Sequence, residues 1–132
     1  PLRGVRALDL TRILAGQTAT ILLAGVINVE KVKHGDATRP WSPPAATLSE
    51  NAPKDTSHLP PESAYFHAVN RNKRSITVNF KKPKGLEILH NLSQKQTYLV
   101  ENFLPGKLDS MGLGYPDCSA INDRLIYVSI TG

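Results

Sequence analysis

Short β-rich runs separated by single helix-length segments constrain this chain more than any other feature. Residues 75–79 are β-rich, Pro83 suits the first turn of a helix, and residues 97–101 are β-rich again. Between the two runs Leu86, Leu89 and Leu92, with Ile88, form an apolar helical face through about Ser93. One amphipathic helix between two strands is the outline of a βαβ unit, which requires parallel strands. The N-terminal part repeats the alternation. Residues 5–10 read as a first strand, Gly16 loosens the backbone, residues 18–24 read as a helix offering Ile21, Leu22 and Leu23 for burial, and Gly25 ends it. Residues 26–32 give a second strand. Towards the C-terminus come a short helix at 107–111, another from Pro116 through Asn122, and a fifth strand at 125–130. The expected fold is α/β, a mostly parallel sheet with flanking helices, in one domain. A doubly wound sheet normally continues past a strand-then-glycine signal such as Thr131-Gly132, so the domain is expected to be cut in mid-fold. Residues 40–62 hold most of the prolines and little apolar periodicity, and are expected to form a long surface loop.

In open α/β sheets ligands bind outside the carboxyl ends of the strands. Tyr98-Leu99-Val100-Glu101-Asn102-Phe103-Leu104-Pro105-Gly106-Lys107 reads as a buried strand that stops at a polar pair and turns. The basic string Asn70-Arg71-Asn72-Lys73-Arg74-Ser75 is expected to lie beside that turn, and the two together point to an anionic, nucleotide-like ligand. The net charge of +5 is concentrated at Arg71, Lys73, Arg74, Lys81, Lys82 and Lys84. Such a cluster fits a solvated surface, phosphate capture or non-specific nucleic-acid attraction. Few aromatics interleave with these cations, so base stacking has little support and nucleic acid is a minor alternative.

No apolar run approaches the roughly 18 residues of a membrane span. The single cysteine, Cys118, excludes an intramolecular disulfide framework and a multi-cysteine zinc site, and with no neighbouring histidine it reads as structural. His34, His58, His67 and His90 lack paired metal-ligand spacing and read as surface or loop residues.

The ordered strings of the chain resemble the family III CoA-transferases, the formyl-CoA and carnitine CoA-transferase type. They are Leu2-x-Gly4-Val5, Leu8-Asp9-Leu10-Thr11-Arg12, Leu14-Ala15-Gly16, Val26-Ile27-x-Val29-Glu30 and Gly35-Asp36-x-Thr38-Arg39. Tyr65-Phe66, Asn70-Arg71-Asn72-Lys73-Arg74-Ser75-Ile76, Val100-Glu101-Asn102-Phe103-x-Pro105-Gly106, Met111-Gly112-Leu113-Gly114-Tyr115 and Leu125-Ile126-Tyr127-x-Ser129-Ile130-Thr131-Gly132 follow in order. The resemblance covers nearly the whole chain. It is closer to the transferases than to the related α-methylacyl-CoA racemases at the Asn102 turn and the 70–75 segment.

The resemblance implies that residues 1–132 are the N-terminal part of a large, Rossmann-like CoA-binding domain, of an enzyme that forms an interlocked homodimer. It implies CoA transfer between a CoA thioester such as succinyl-CoA and a small dicarboxylic acid such as glutarate, with CoA as substrate and no covalently bound cofactor. The family's nucleophile is an aspartate that forms a mixed anhydride and then an aspartyl-CoA thioester. By the same resemblance it lies beyond this segment, leaving an inactive part; the alternative is a catalytically inactive CoA-binding or interaction fragment. Carried over position by position, the CoA contacts are Ile13 and Leu14 near the pantetheine arm, and Lys31, where the family usually has an arginine for the phosphates. A lysine there keeps the charge without the two-pronged geometry. Val78, Asn79, Phe80 and Lys81 match the adenine side, Asn102, Phe103 and Leu104 the pantetheine turn, and Ser110 and Met111 a further contact. Relatives imply a mitochondrial address, with peroxisomal or cytoplasmic as alternatives, and neither membrane nor nucleic acid as partner. The sequence departs from the family pattern at Gln17, where a proline is common, at 21–25, which is short by about one helical turn, and at 45–62, which is long.

Overall fold

The computed structural model describes residues 2–23, 25–46 and 62–131. Among the described residues five strands, β1 (Arg6–Asp9), β2 (Gly25–Lys31), β3 (Lys73–Val78), β4 (Tyr98–Glu101) and β5 (Ile126–Ser129), form one sheet in the order β3-β2-β1-β4-β5. Every pairing is parallel. Among the described residues the helices are α1 (Leu14–Thr20), α2 (Ala64–Asn70), α3 (Pro83–Ser93) and α4 (Tyr115–Ile121). This is the α/β, parallel-sheet architecture that the alternation of elements demands.

The chain winds outward from β1 through β2 to β3, then crosses back past two strands to β4 and out to β5. The strand order therefore reverses between β1 and β4, which opens a crevice at their carboxyl ends. Here the β3–α3–β4 segment differs from the simple βαβ unit read in the sequence, because its strands are not neighbours. Hydrophobic pattern specifies that strands are parallel; it does not count the strands lying between them.

Side chains alternate across a strand, so Leu8 and Leu10 face one side of the sheet and Asp9 the other. On the first side Leu8, Leu10, Val29, Val78 and Leu99 pack with Leu89 of α3 and Cys118 of α4, closed by Leu108, Leu113 and Leu125. Each fully buried aliphatic side chain there contributes about 1.5–3 kcal/mol. On the second side α1 and α2 pack together over a polar surface made by Asp9, Asn28, Glu30, Lys73 and Ser75. One face of this sheet holds the core and the other holds a hydrogen-bond network.

That polar face explains where the first helix departs from expectation. The helix begins at Leu14 and ends at Thr20, and Gly16 lies inside it, where a Cβ would overlap the Thr11 side chain. Its buried positions are Gly16, Gln17 and Thr20, whereas Leu22 is 76% exposed. The apolar triplet 21–23 was the obvious burial signal, but α1 packs through polar groups.

Helix α2 was absent from the sequence reading, although Ser63 announces it by capping the Tyr65 and Phe66 N–H groups. The short helix at 107–111 contracts to a 3-10 turn over Asp109–Met111. Within 40–62 only the two feet lie in the described residues, tied by the Ala45–Ser63 bridge and the Ala46 N–H donating to Glu62 O (2.8 Å). His58 and the span 47–61 lie outside them. Gly132 does too. His34 and His67 are exposed, whereas His90 is half-buried in α3 with Nε2 2.6 Å from Gly112 O.

Candidate functional site at the carboxyl ends of the strands

The loops leaving β1, β2, β3 and β4 converge on one cleft of about 750 Å³, within the range of small-molecule sites. Its walls are apolar at Leu10, Val29, Val78, Phe80, Phe103 and Met111. Its rim carries Arg12, Lys31, Lys81 and Lys107, all exposed. The two carboxylates near it, Glu30 and Asp36, are buried and engaged by other protein groups. An apolar slot with a cationic mouth suits an extended ligand with a neutral arm and phosphate groups.

A repeated local device sets the course of these loops. Asp9 Oδ1 accepts the Thr11 N–H (2.9 Å) and Asp36 Oδ1 the Thr38 N–H (2.8 Å). Asn79 Oδ1 accepts the Lys81 N–H (3.0 Å) and Glu101 Oε2 the Phe103 N–H (2.7 Å). In each case a side chain takes the N–H two residues on, turning the backbone where a strand ladder runs out. After β2 the chain doubles back at Gly35, whose φ of 65° and close approach to Glu30 Oε2 (2.8 Å from an added Cβ) suit only glycine.

Beneath the loops the polar face is nearly continuous. Lys73 Nζ donates to Asp9 Oδ2 (3.0 Å) and to Gln17 O (2.9 Å), and Thr20 Oγ1 donates to the same carboxylate. Burial pushes the Lys73 ammonium below its usual range, against the charge of Asp9. Glu30 accepts Arg39 through Nε (2.9 Å) and Nη2 (2.7 Å), the Ser75 hydroxyl (2.7 Å) and the Asp36 N–H (2.9 Å). Burial opposes ionisation of Glu30, yet the Arg39 and Ser75 hydrogen bonds and the Arg39 charge together hold its carboxyl below the usual range.

Aromatic contacts cross-link the loops above. Phe80 and Phe103 lie 6.1 Å apart between centroids, and the Arg12 guanidinium sits 5.0 Å from the Phe103 ring centre.

The structure brings together eight of the residues selected from sequence: Lys31, Val78, Asn79, Phe80, Lys81, Phe103, Leu104 and Met111 line the cleft. Ile13 and Leu14 follow its Arg12 wall and are exposed. Asn102 stands behind that wall, with its carboxamide on the Arg12 backbone. Ser110 is exposed and donates to Lys107 O (2.8 Å), outside the lining.

Sequence reasoning missed Thr11, Arg12, His34, Asp36 and Lys107 as lining residues. The paired Asp-x-Thr strings at Asp9 and Asp36 were the available signal. The basic string at 70–75 is not beside the Asn102 turn. It precedes and opens β3, at the amino end of the parallel sheet, while Asn102 follows β4 at the carboxyl end. Arg71 and Arg74 border instead a separate cavity of about 360 Å³ beneath α2, where the buried Asn28 Oδ1 has no hydrogen-bond partner among the described residues. Lys73, counted in that basic cluster, has a side chain that is only 2% exposed. Cys118 is buried in the core, its thiol pushed up to about 11 by burial and by Asp117, as a structural cysteine requires. No cluster of three or more metal-ligating side chains occurs among the described residues, and no helix there is long and apolar enough to cross a membrane.

The fold is a doubly wound α/β domain with its cleft at the strand-order reversal. A family model described as CoA-transferase family III matches residues 2–132, and the chain belongs to that family. It is similar to succinyl-CoA:glutarate CoA-transferases of Mus musculus and Homo sapiens, each 48% identical over 136 residues that cover 100% of this chain and 28% of the relative. Among solved structures it is similar to a CAIB/BAIF family protein from Brucella suis, with a TM-score of 0.84 and 43% identity, over 100% of this chain and 33% of that one. The chain thus spans under a third of the curated relatives it matches.

Proposed function

We propose that this chain forms a CoA-binding wall of a CoA-transferase that moves CoA between succinyl-CoA and a small dicarboxylic acid such as glutarate. The observation carrying this reading is the convergence of four strand ends on one apolar slot with a cationic rim. The pantetheine arm lies along Phe103 and Met111, and the phosphates meet Lys31, Lys81 and Arg12. The acyl partners follow from the similarity to succinyl-CoA:glutarate CoA-transferases. Group transfer runs through an aspartate outside these residues. Its carboxylate attacks the thioester carbonyl and expels CoA thiolate, giving a mixed anhydride; the thiolate then attacks the aspartyl carbonyl and releases the first acid as carboxylate. The incoming dicarboxylate reverses the sequence. The working enzyme is an interlocked homodimer in the mitochondrion.

Titration of CoA onto this chain, with succinyl-CoA-to-glutarate exchange measured alongside, tests the reading. Saturable CoA binding without turnover is expected. Absence of CoA affinity overturns it. A second reading is an inactive CoA-binding or interaction fragment. It falls if the chain supports exchange when supplied with the remaining segment of a relative.

A further inference from the structure

The β1–β4 ladder ends where the Leu10 N–H donates to Val100 O (2.8 Å). Beyond it the two chains diverge, yet the backbone of Arg12 remains fully bonded by a side chain. Asn102 Oδ1 accepts the Arg12 N–H and Asn102 Nδ2 donates to Arg12 O, both at 2.8 Å. A carboxamide presents the same donor and acceptor as a peptide group, so Asn102 stands in for the next rung of the sheet. Immediately after this rung Ile13 adopts φ 62° and ψ −146°. A β-branched residue rarely takes a positive φ, and such conformations persist only where their surroundings over-determine them.

We infer that Asn102 is a positioning residue which, through the Arg12 backbone, holds the strained Thr11–Leu14 turn as a wall of the ligand cleft. The Arg12 guanidinium over Phe103 adds a second contact to the same turn. Asn102 therefore acts on the ligand through Arg12 and Ile13, rather than through the direct contact expected from sequence. The inference rests on the CoA reading for its ligand and on geometry alone for the clamp.

The discriminating variants are Asn102→Ala, Asn102→Asp and Ile13→Gly. Aspartate keeps the acceptor for the Arg12 N–H but sets a carboxylate oxygen against Arg12 O. Glycine adopts the mirror-β region without steric cost, so it removes the need for a clamp. Calorimetric titration with CoA should show Asn102→Ala and Asn102→Asp weakened about tenfold or more. Ile13→Gly in the Asn102→Ala background should restore affinity to within about threefold of the parent. Backbone NMR shifts of residue 13 should leave their positive-φ values in Asn102→Ala.

A purely structural loss would lower the melting temperature and would not be rescued by a glycine. No loss of affinity, or a loss that Ile13→Gly leaves untouched, overturns the inference. If the parent chain does not bind CoA, the proposed function falls separately, and the NMR arm decides the clamp. Unchanged shifts at Ile13 in Asn102→Ala refute it, and displaced shifts support it.

Discussion

Lys73 Nζ lies 3.0 Å from Asp9 Oδ2, with the two side chains 2% and 0% exposed. The pair joins the start of β3 to the end of β1 across β2, linking the sheet's edge strand to the strand that opens the cleft. Removing the ammonium leaves the carboxylate buried with Thr11 and Thr20 as its donors among the described residues. Lys73→Met is therefore expected to cost about 3–5 kcal/mol in urea unfolding. Asp9→Asn added to Lys73→Met should recover part of that loss. Equal stability of the single variant and the parent would refute the pairing.

Gly85, in the first turn of α3, faces the backbone of Asn79. A Cβ there would sit 2.9 Å from the Asn79 carbonyl carbon and closer still to its oxygen. Helix propensity alone predicts that Gly85→Ala stabilises by about 1 kcal/mol. The clash predicts a loss of about 1–3 kcal/mol instead. It also predicts weaker CoA binding, because Asn79 carries the turn to Lys81. The sign of the stability change decides.

Lys81 stands on the cleft rim and Lys95 at the opposite end of the sheet, after α3. Both are exposed lysines, so a general charge effect would weaken CoA binding equally in either alanine variant. The rim placement predicts about a threefold to tenfold loss for Lys81→Ala and almost none for Lys95→Ala. Titration of both at two ionic strengths separates these outcomes.

The Leu113 carbonyl receives both the Tyr127 hydroxyl (3.2 Å) and the Cys118 thiol (3.5 Å). Burial raises both groups, Cys118 from 9.0 to about 11 and Tyr127 above its ordinary 10. The unfolded chain thus loses these protons first as the solution becomes alkaline. Stability is fully present below about pH 9 and falls as pH rises through 11. In Cys118→Ala the fall should be shallower. Alkylation of Cys118 should be slow in the folded chain at pH 8 and fast in urea.

At the acid end the sign reverses for Glu30, whose carboxyl is held below the ordinary 4.5. Its contribution is present above that value and declines as pH falls through the depressed one. Arg39→Gln should move the acid unfolding midpoint upward; an unmoved midpoint would exclude Glu30 as a source of acid sensitivity.

The strands of this chain were legible because β-branched runs such as Ile76, Thr77 and Val78 carry their own signal. So was α3, with Pro83 at its start and Leu89 fully buried. Ile88, counted on its apolar face, is 44% exposed, since the i, i+3, i+6 row through Leu86, Leu89 and Leu92 is the side that meets the core.

The cleft was legible at residues that end strands, from Lys31 to Phe103. It was illegible where a polar residue does structural work. Lys73 looks like any surface lysine until the sheet places Asp9 beneath it, and nothing local announces that the Asn102 carboxamide meets the Arg12 backbone. Neither partner is near in sequence, so no local pattern could pair them.

Arg12 and its Asn102 partner are separated by 90 residues. Of the described strands β1 comes earliest in the chain, and the flank that meets β4 stays bare until β4 emerges. At ordinary translation rates that interval is on the order of ten seconds. Throughout it, Arg6–Asp9 offers an unsatisfied row of N–H and C=O groups to any passing strand. The nascent chain is thus open to mispairing along a strand that the folded sheet encloses on both flanks.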